Sequence, residues 1–453
     1  MLGLRLYQRR YAPHPVVVRK LLHVTMGLIT LTFPWLFESA LPVVIVAILA
    51  IGWISLLKFY QPMQELGNVL NSVGRRSLGE IYFPISVALI FVLAQGKPLL
   101  FCIPILLLTL ADALAAVIGV RYGRLHYKTS DGQKSAEGSI TFFMVAFFSV
   151  HVPLLLLSDT GRAETLLIAI ILGLLVMLLE AIAWRGLDNF FIPLGGFLLL
   201  KTHLSMSVTE LLIRLAVTVI MVVFVLCWRK QTTLNDSALL GAAFFGYLSW
   251  MIGGWQWFIP PVILLVTYPL FVTWVDQHKT PLTEAERQMM LWLPTNPNSQ
   301  PRQWERVHTI HAVLSVSAAG CLWLLLFGVF DRPQFLYPYT LAFAANLAIV
   351  GIAGFSPLHY WQPSRWLQLL TYSIKAWILV FLPMLLVVGI SRLTLCYAIV
   401  GFLGTVLVAI SYYLVQPNLR QLSTDTIAWL CRAAFTTIGS LLGVVPLIWN
   451  LVD

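Results

Sequence analysis

Phe101-Cys102-Ile103-Pro104-Ile105-Leu106-Leu107-Leu108-Thr109-Leu110-Ala111-Asp112-Ala113-Leu114-Ala115-Ala116-Val117-Ile118-Gly119-Val120 carries a single charge in its whole length. A helix needs about 20 predominantly apolar residues to cross a hydrocarbon core of roughly 30 Å. The stretch therefore predicts a transmembrane helix with one acid near its middle. The rest of the chain has the same character: 453 residues, 59% hydrophobic, 11% charged, mean hydropathy +0.85. Soluble domains carry about 25% charged residues. A water-soluble enzyme, a disordered chain, a collagen and a disulfide-stapled secreted scaffold are excluded together. Further apolar runs lie at 22–38, 40–57, 80–95, 139–157, 164–184, 189–205, 208–228, 237–256, 258–275, 307–330, 335–354, 366–390, 393–415 and 426–449. The fold class expected is an all-α, polytopic integral membrane bundle of about 14–15 transmembrane helices. The run 189–205 is the weak one: Pro193, Gly195 and Gly196 interrupt it, as in a re-entrant or half-length helix.

The net charge of +10 does not point to nucleic acid, because no basic run interleaved with aromatics is present. Lys and Arg instead sit in short clusters between apolar runs. With the N-terminus in the cytosol, one side collects Lys58, Arg75, Arg76, Arg121, Arg124, Lys128, Lys134, Arg185, Arg229 and Lys230. The hydrophilic loop 276–306 adds Lys279, Arg287, Arg302 and Arg306 to that side, which is the positive-inside pattern. Arg5, Arg9, Arg10, Arg19 and Lys20 precede the first run, and no small-residue cleavage site closes it. It is expected to be a retained span. The five cysteines form no CxxC pair and read as small buried hydrophobes. The main organisational boundary is expected near 230, with domains 1–230 and 231–453, since polar residues within the runs concentrate before it.

A charge at bilayer depth is costly, so acids inside spans are candidates for function. Asp112 is the foremost. Ala113, Ala115, Ala116, Gly119 and Gly123 follow it and let a second backbone or a ligand come close. Next come Arg121, Arg124, Lys128 and Lys134, then Ser135-Ala136-Glu137-Gly138-Ser139 opening another helix. Cations beside a helix N-terminus could hold phosphate oxygens, and Glu137 would there act as a base or a metal ligand. A purely orienting basic loop accounts for the cations equally well. No P-loop pattern is present. Arg19, Lys20, His23 and Gly27, then Gly79-Glu80, then Glu180 and Asp188-Asn189, fall on the same expected membrane face. His308 and His311, spaced i, i+3, have only Glu305 as a nearby further ligand and read as an interfacial pair rather than a metal site.

Four of these pieces in series carry a resemblance: Arg19-Lys20-x-x-His23 with Gly27; Asp112-Ala113-x-Ala115 with Gly119 and Gly123; Lys134-Ser135-Ala136-Glu137-Gly138-Ser139; and Glu180 followed by Asp188-Asn189 with Ile192-Pro193. In order and spacing they resemble the polyprenol kinase family, which includes phytol and dolichol kinases, over roughly residues 15–230. The resemblance implies a membrane-bound kinase that moves the γ-phosphoryl of CTP to a long isoprenoid alcohol, with Mg²⁺ as cofactor. It implies Asp112, Glu137 and Asp188 as catalytic residues, and Asp112, Asp188 and Glu80 as Mg²⁺ ligands. Arg19, Lys20, His23, Arg121, Lys134, Gly138, Ser139 and Asn189 would bind nucleotide or phosphate. The partners implied are the bilayer, the isoprenoid alcohol and the nucleotide, with no nucleic acid; a homo-oligomer stays open. The active face would be cytosolic, and 231–453 an accessory domain of unassigned role. Two alternatives remain. Phosphatidate cytidylyltransferases are distantly similar around the central acid, but their Gly-His-Gly-Gly element is missing from Leu187–Gly196. A secondary transporter would also suit many spans and a broken helix, although the polar residues gather at one face rather than the midplane.

Overall fold

The computed structural model describes residues 15–59, 78–129, 132–183, 186–228, 232, 234–277, 308–353, 363–421 and 425–446. They are predominantly helical, with one short hairpin and an isolated bridge between Leu234 and His308. The chain divides into two compact units, Met1–Cys227 and Trp228–Asp453.

The first unit contains α1 (Pro15–Thr30), α2 (Ala40–Phe59), α3 (Gly79–Ala94), α4 (Pro98–Tyr122), α5 (Ala136–Leu157), α6 (Arg162–Ile182), α7 (Asp188–His203) and α8 (Val208–Trp228). A two-stranded antiparallel hairpin, β1 (His126–Thr129) and β2 (Gly132–Ser135), joins α4 to α5. Each helix overlaps one of the apolar runs; α1 is displaced from the run 22–38, ending at Thr30 with only the short helical turn Phe33–Leu36 beyond it. Leu41, Ile45, Ile48, Leu49 and Trp53 of α2, and Leu212, Ile213, Ile220 and Leu226 of α8, are exposed as a lipid-facing surface would be. In contrast α6 buries Leu167, Ile168, Ile171, Leu172 and Leu175, and packs against α5 and α7.

Two details position the site. The hydrogen-bond ladder of α4 widens into a π-turn over Leu107–Ala111, directly before Asp112. Such single turns insert one extra residue, rotate the helix face beyond them, and recur at functional positions. Second, α1, α3 and α7 are each 16 residues long, about 24 Å at 1.5 Å per residue. That is shorter than the hydrocarbon core, so polar residues at their ends sit within it or at its border. The run 189–205, open in the sequence between a full crossing and a re-entrant or half-length helix, is one continuous helix, α7, through Pro193, Gly195 and Gly196, with Gly195 close to Leu179 and Gly196 close to Leu107.

The second unit contains α9 (Asp236–Gly253), α10 (Trp255–Gln277), α11 (Ile310–Phe330), α12 (Leu336–Ala353), α13 (Pro363–Val388), α14 (Arg392–Gln421) and α15 (Asp425–Ser440). The central element is α12, buried on every side from Leu336 to Ile349 and packed by α10, α11, α13, α14 and α15. A helix apolar all round is the one a bundle encloses. The expected aqueous loop lies, beyond Gln277 and up to residue 307, outside the described residues. So do Arg75, Arg76, Arg185, Arg229 and Lys230. Among the described residues nine helices have the length and hydropathy to cross a membrane, and two shorter apolar helices accompany them. All five cysteines are free. Cys102 is buried as expected, whereas Cys227 and Cys321 are exposed on apolar helix faces, where a small thiol is no more costly than alanine.

Candidate active site

Asp112 is 4% exposed, in the body of the first unit. A bare carboxylate there would be prohibitive, and the sequence supplies a partner 92 residues earlier: Lys20 of α1 forms an ion pair with Asp112 Oδ2. His23, one turn further along α1, places Nδ1 3.9 Å from the same oxygen, while its ring meets Phe83 of α3 edge-on at 5.3 Å. His23 Nε2 is buried without a hydrogen-bond partner. The approach of α1 to α4 depends on Gly27, where a Cβ would collide with the Thr109 side chain in the π-turn.

Glu80, at the first turn of α3, is held from two sides. Arg19 Nε lies 3.2 Å from one oxygen and Lys58 Nζ of α2 lies 2.9 Å from the other. Gly79 gives this junction its room, since a Cβ there would strike the Asn189 amide and crowd Arg19 and Gly186. Asn189 is buried at the start of α7, its carbonyl accepting from Ser86 Oγ at 2.8 Å and its Oδ1 unpartnered. Asp188 beside it is half-buried and within electrostatic reach of Asp112, Lys20, Lys134 and Arg19.

Lys134 enters from β2. Its Nζ donates to Glu180 Oε1 at 2.6 Å and to the Glu180 carbonyl, at the end of α6. Burial pulls the Lys134 ammonium down, but the charge and hydrogen bond of Glu180, with Tyr127 and Asp188, outweigh it and hold the group above the usual lysine value. Four cations (Arg19, Lys20, Lys58, Lys134) are thereby interleaved with four carboxylates (Glu80, Asp112, Glu180, Asp188). Such a network keeps each charge compensated at depth while leaving every pair open to exchange with an incoming charged ligand.

Other expected site residues are placed differently. Ser135 Oγ accepts the Gly138 N–H at 3.1 Å, so the start of α5 is capped by its own chain and that N–H is not open to phosphate. Glu137 faces the Leu125 N–H, with both carboxylate oxygens within 3.4 Å, and ties down the α4–β1 connection rather than joining Asp112. Ser139 pairs with the Tyr127 hydroxyl at 2.8 Å. Arg121 is exposed at the end of α4, its guanidinium 5.3 Å from the Tyr122 ring. The glycines do what close packing requires: Gly119 and Gly138 lie face to face, and a Cβ on Gly138 would come within 3.3 Å of the Gly119 Cα.

Among the described residues no three His, Cys, Asp or Glu side chains converge as a metal-holding group. Glu80 is committed to Arg19 and Lys58. Asp112 and Asp188 remain, and one or two carboxylates plus substrate phosphates is the usual protein share of a nucleotide-bound Mg²⁺. The donor set fits that group without Glu80. His308 lies edge-on to the Trp429 ring at 6.2 Å.

Fold and site together define a polytopic, all-α membrane protein with a charge-balanced cluster built on short helix ends. A phytol kinase from Synechocystis sp. is 31% identical over 188 residues, which is 77% of that protein and 40% of this chain. The chain belongs to the polyprenol/phytol kinase family. No family model matches it, and no solved structure does.

Proposed function

We propose that the first unit transfers the γ-phosphoryl group of CTP to the terminal hydroxyl of a long-chain isoprenoid alcohol. The observation that carries this reading is the buried Asp112, held by Lys20 and sharing its electrostatic surroundings with Asp188 and Lys134. The relative's name, phytol kinase, supports the substrate class. Phosphoryl transfer asks for positioning and charge neutralisation more than for covalent chemistry. Here Lys20 and Lys134 are the positioning charges. A polyphosphate competes with Asp112 for Lys20 and with Glu180 for Lys134, so the cations change partner rather than being newly buried. Arg19, locked to Glu80 beside Asn189, sets the outer limit of the phosphate site. Asp112 and Asp188 would hold the Mg²⁺, which when bound neutralises charge on the transferred group. His23 Nε2, buried and unpartnered beside Asp112, is placed to accept a hydrogen bond from the alcohol hydroxyl or donate one to phosphate.

This assignment requires the network to face the compartment that supplies nucleotide, and the basic loops favour the cytosol. A membrane-impermeant thiol reagent applied to intact cells should miss cysteines introduced at Lys128 or Asn298. Efficient labelling at either position reverses the orientation and removes CTP access.

A further inference from the structure

Among the described residues of the second unit, one charged side chain is deeply buried, and the proposed kinase reaction does not use it. Arg432, on α15, is only 6% exposed, and no carboxylate pairs with it among the described residues. Its Nε donates to Asn346 Oδ1 at 3.1 Å and its Nη2 to the Asn346 carbonyl at 2.9 Å. Asn346 is itself fixed on α12, its amide donating to the carbonyls of Val316 and Ala342. The Trp429 ring lies 5.7 Å from the guanidinium carbon. Helices α11 to α14 contain no Asp or Glu at all, and the one acid of α15, Asp425, is seven residues away, about 10 Å along the helix.

A cation enclosed among apolar helices is retained only where something neutralises it. Asn346 orients the guanidinium but brings no negative charge. Two of the five N–H groups are used, and the others have no partner among the described residues. With the Nε–Nη2 edge fixed on Asn346, the remaining N–H groups on Nη1 and Nη2 form the free end of a planar fork that matches the oxygens of a phosphate group. We propose that Arg432, oriented by Asn346 beside Trp429, is an anion site of the second unit that takes a phosphate-bearing ligand. The apolar helices around it favour a lipid phosphate headgroup, and free phosphate shares the same chemistry. The site is independent of the kinase assignment, since no residue of the first unit takes part.

The test uses the full-length protein in detergent and a photoactivatable phosphatidate with its reactive group near the head, followed by peptide mapping. Labelling should appear on peptides carrying Trp429–Thr436 or Asn346. Excess unlabelled phosphatidate should compete and phosphatidylcholine of the same chains should not. Competition by inorganic phosphate as effective as by phosphatidate would identify free phosphate as the ligand. Asn346→Asp supplies an internal counter-ion at almost unchanged volume, and should weaken labelling at least tenfold, about 1.4 kcal/mol. Arg432→Gln should abolish the labelling. No label at these peptides, label removed equally by phosphatidylcholine, or label undiminished in a folded Asn346→Asp protein overturns the proposal. The mapping on wild type decides the matter if neither variant folds.

Discussion

The two units of this chain are both bundles of apolar helices, yet they place charge in opposite ways. The first interleaves Arg19, Lys20, Lys58 and Lys134 with Glu80, Asp112, Glu180 and Asp188, so that every cation has an anion within reach. Among its described residues the second has a single deeply buried cation, Arg432, held by the neutral Asn346. A balanced network can exchange partners when a polyphosphate arrives, and exchange is what group transfer needs. A lone, rigidly oriented cation can recognise an anion but has no acid or base beside it to do chemistry. On this contrast rests the proposal that phosphoryl transfer belongs to the first unit.

The sharpest way to break that contrast is Asp112→Asn. Asn keeps the volume and one acceptor oxygen but removes the charge that Lys20 and a divalent cation require. Lipid phosphorylation should fall about a thousandfold, roughly 4 kcal/mol of transition-state stabilisation. Thermal stability should drop as well, because Lys20 is left largely buried and unpaired. A folded Asn variant with near-normal turnover would leave Asp112 as a packing residue. Lys134→Met should cost about a hundredfold, roughly 2.7 kcal/mol, with the loss divided between KM for nucleotide and kcat.

The Lys134–Glu180 pair also has a pH signature. A lysine held above its ordinary value contributes stability that is full below that value and is lost as pH rises through the raised one. Alkaline unfolding of the wild type should therefore steepen above the usual lysine range, and Glu180→Gln should flatten it. An unchanged alkaline limb in that variant would show that the pair does not contribute.

Smaller effects sharpen the picture. Gly79→Ala drives a methyl group into the Asn189 amide and should lower activity about tenfold with a modest loss of stability, on the scale of overpacking. Gly52→Ala, on α2 with nothing within 4 Å of a new Cβ, is its control. It should keep full activity and gain up to about 1 kcal/mol of helix stability. In the second unit, His308→Ala should leave kcat within a few fold. A hundredfold loss there, with expression unchanged, would move chemistry into that unit.

Much of this was legible from sequence because the bilayer imposes one strong rule: apolar runs of helical length become helices, and all fifteen runs overlap one, although the first helix lies at Pro15–Thr30 rather than 22–38. Asp112 stood out for the same reason, as the one charge in its run. What the sequence could not show was partnership. Lys58 reads as an orienting cation until it is seen 2.9 Å from Glu80, and the Lys20–Asp112 pair spans 92 residues. Gly138 and Ser139 read as phosphate-holding residues and Glu137 as a base or metal ligand, because a helix start after basic residues suits an anion; in the structure Ser135 Oγ takes the Gly138 N–H, Ser139 meets the Tyr127 hydroxyl and Glu137 faces the Leu125 N–H. Pro193, Gly195 and Gly196 left the run 189–205 open between a crossing and a half-length helix, and it forms one continuous helix. The π-turn before Asp112 left only the polar Thr109 as a trace in the sequence, too little to read.

The most direct test of the account is product identity from the purified chain. CTP labelled at its γ-phosphorus is supplied with Mg²⁺ and a panel of phytol, geranylgeraniol, farnesol and dolichol, and both nucleotide and lipid products are resolved. Equal amounts of CDP and a labelled lipid monophosphate, absent in Asp112→Asn, are the predicted result. Pyrophosphate with a CDP-lipid, or alcohol uptake into vesicles without nucleotide turnover, would contradict it.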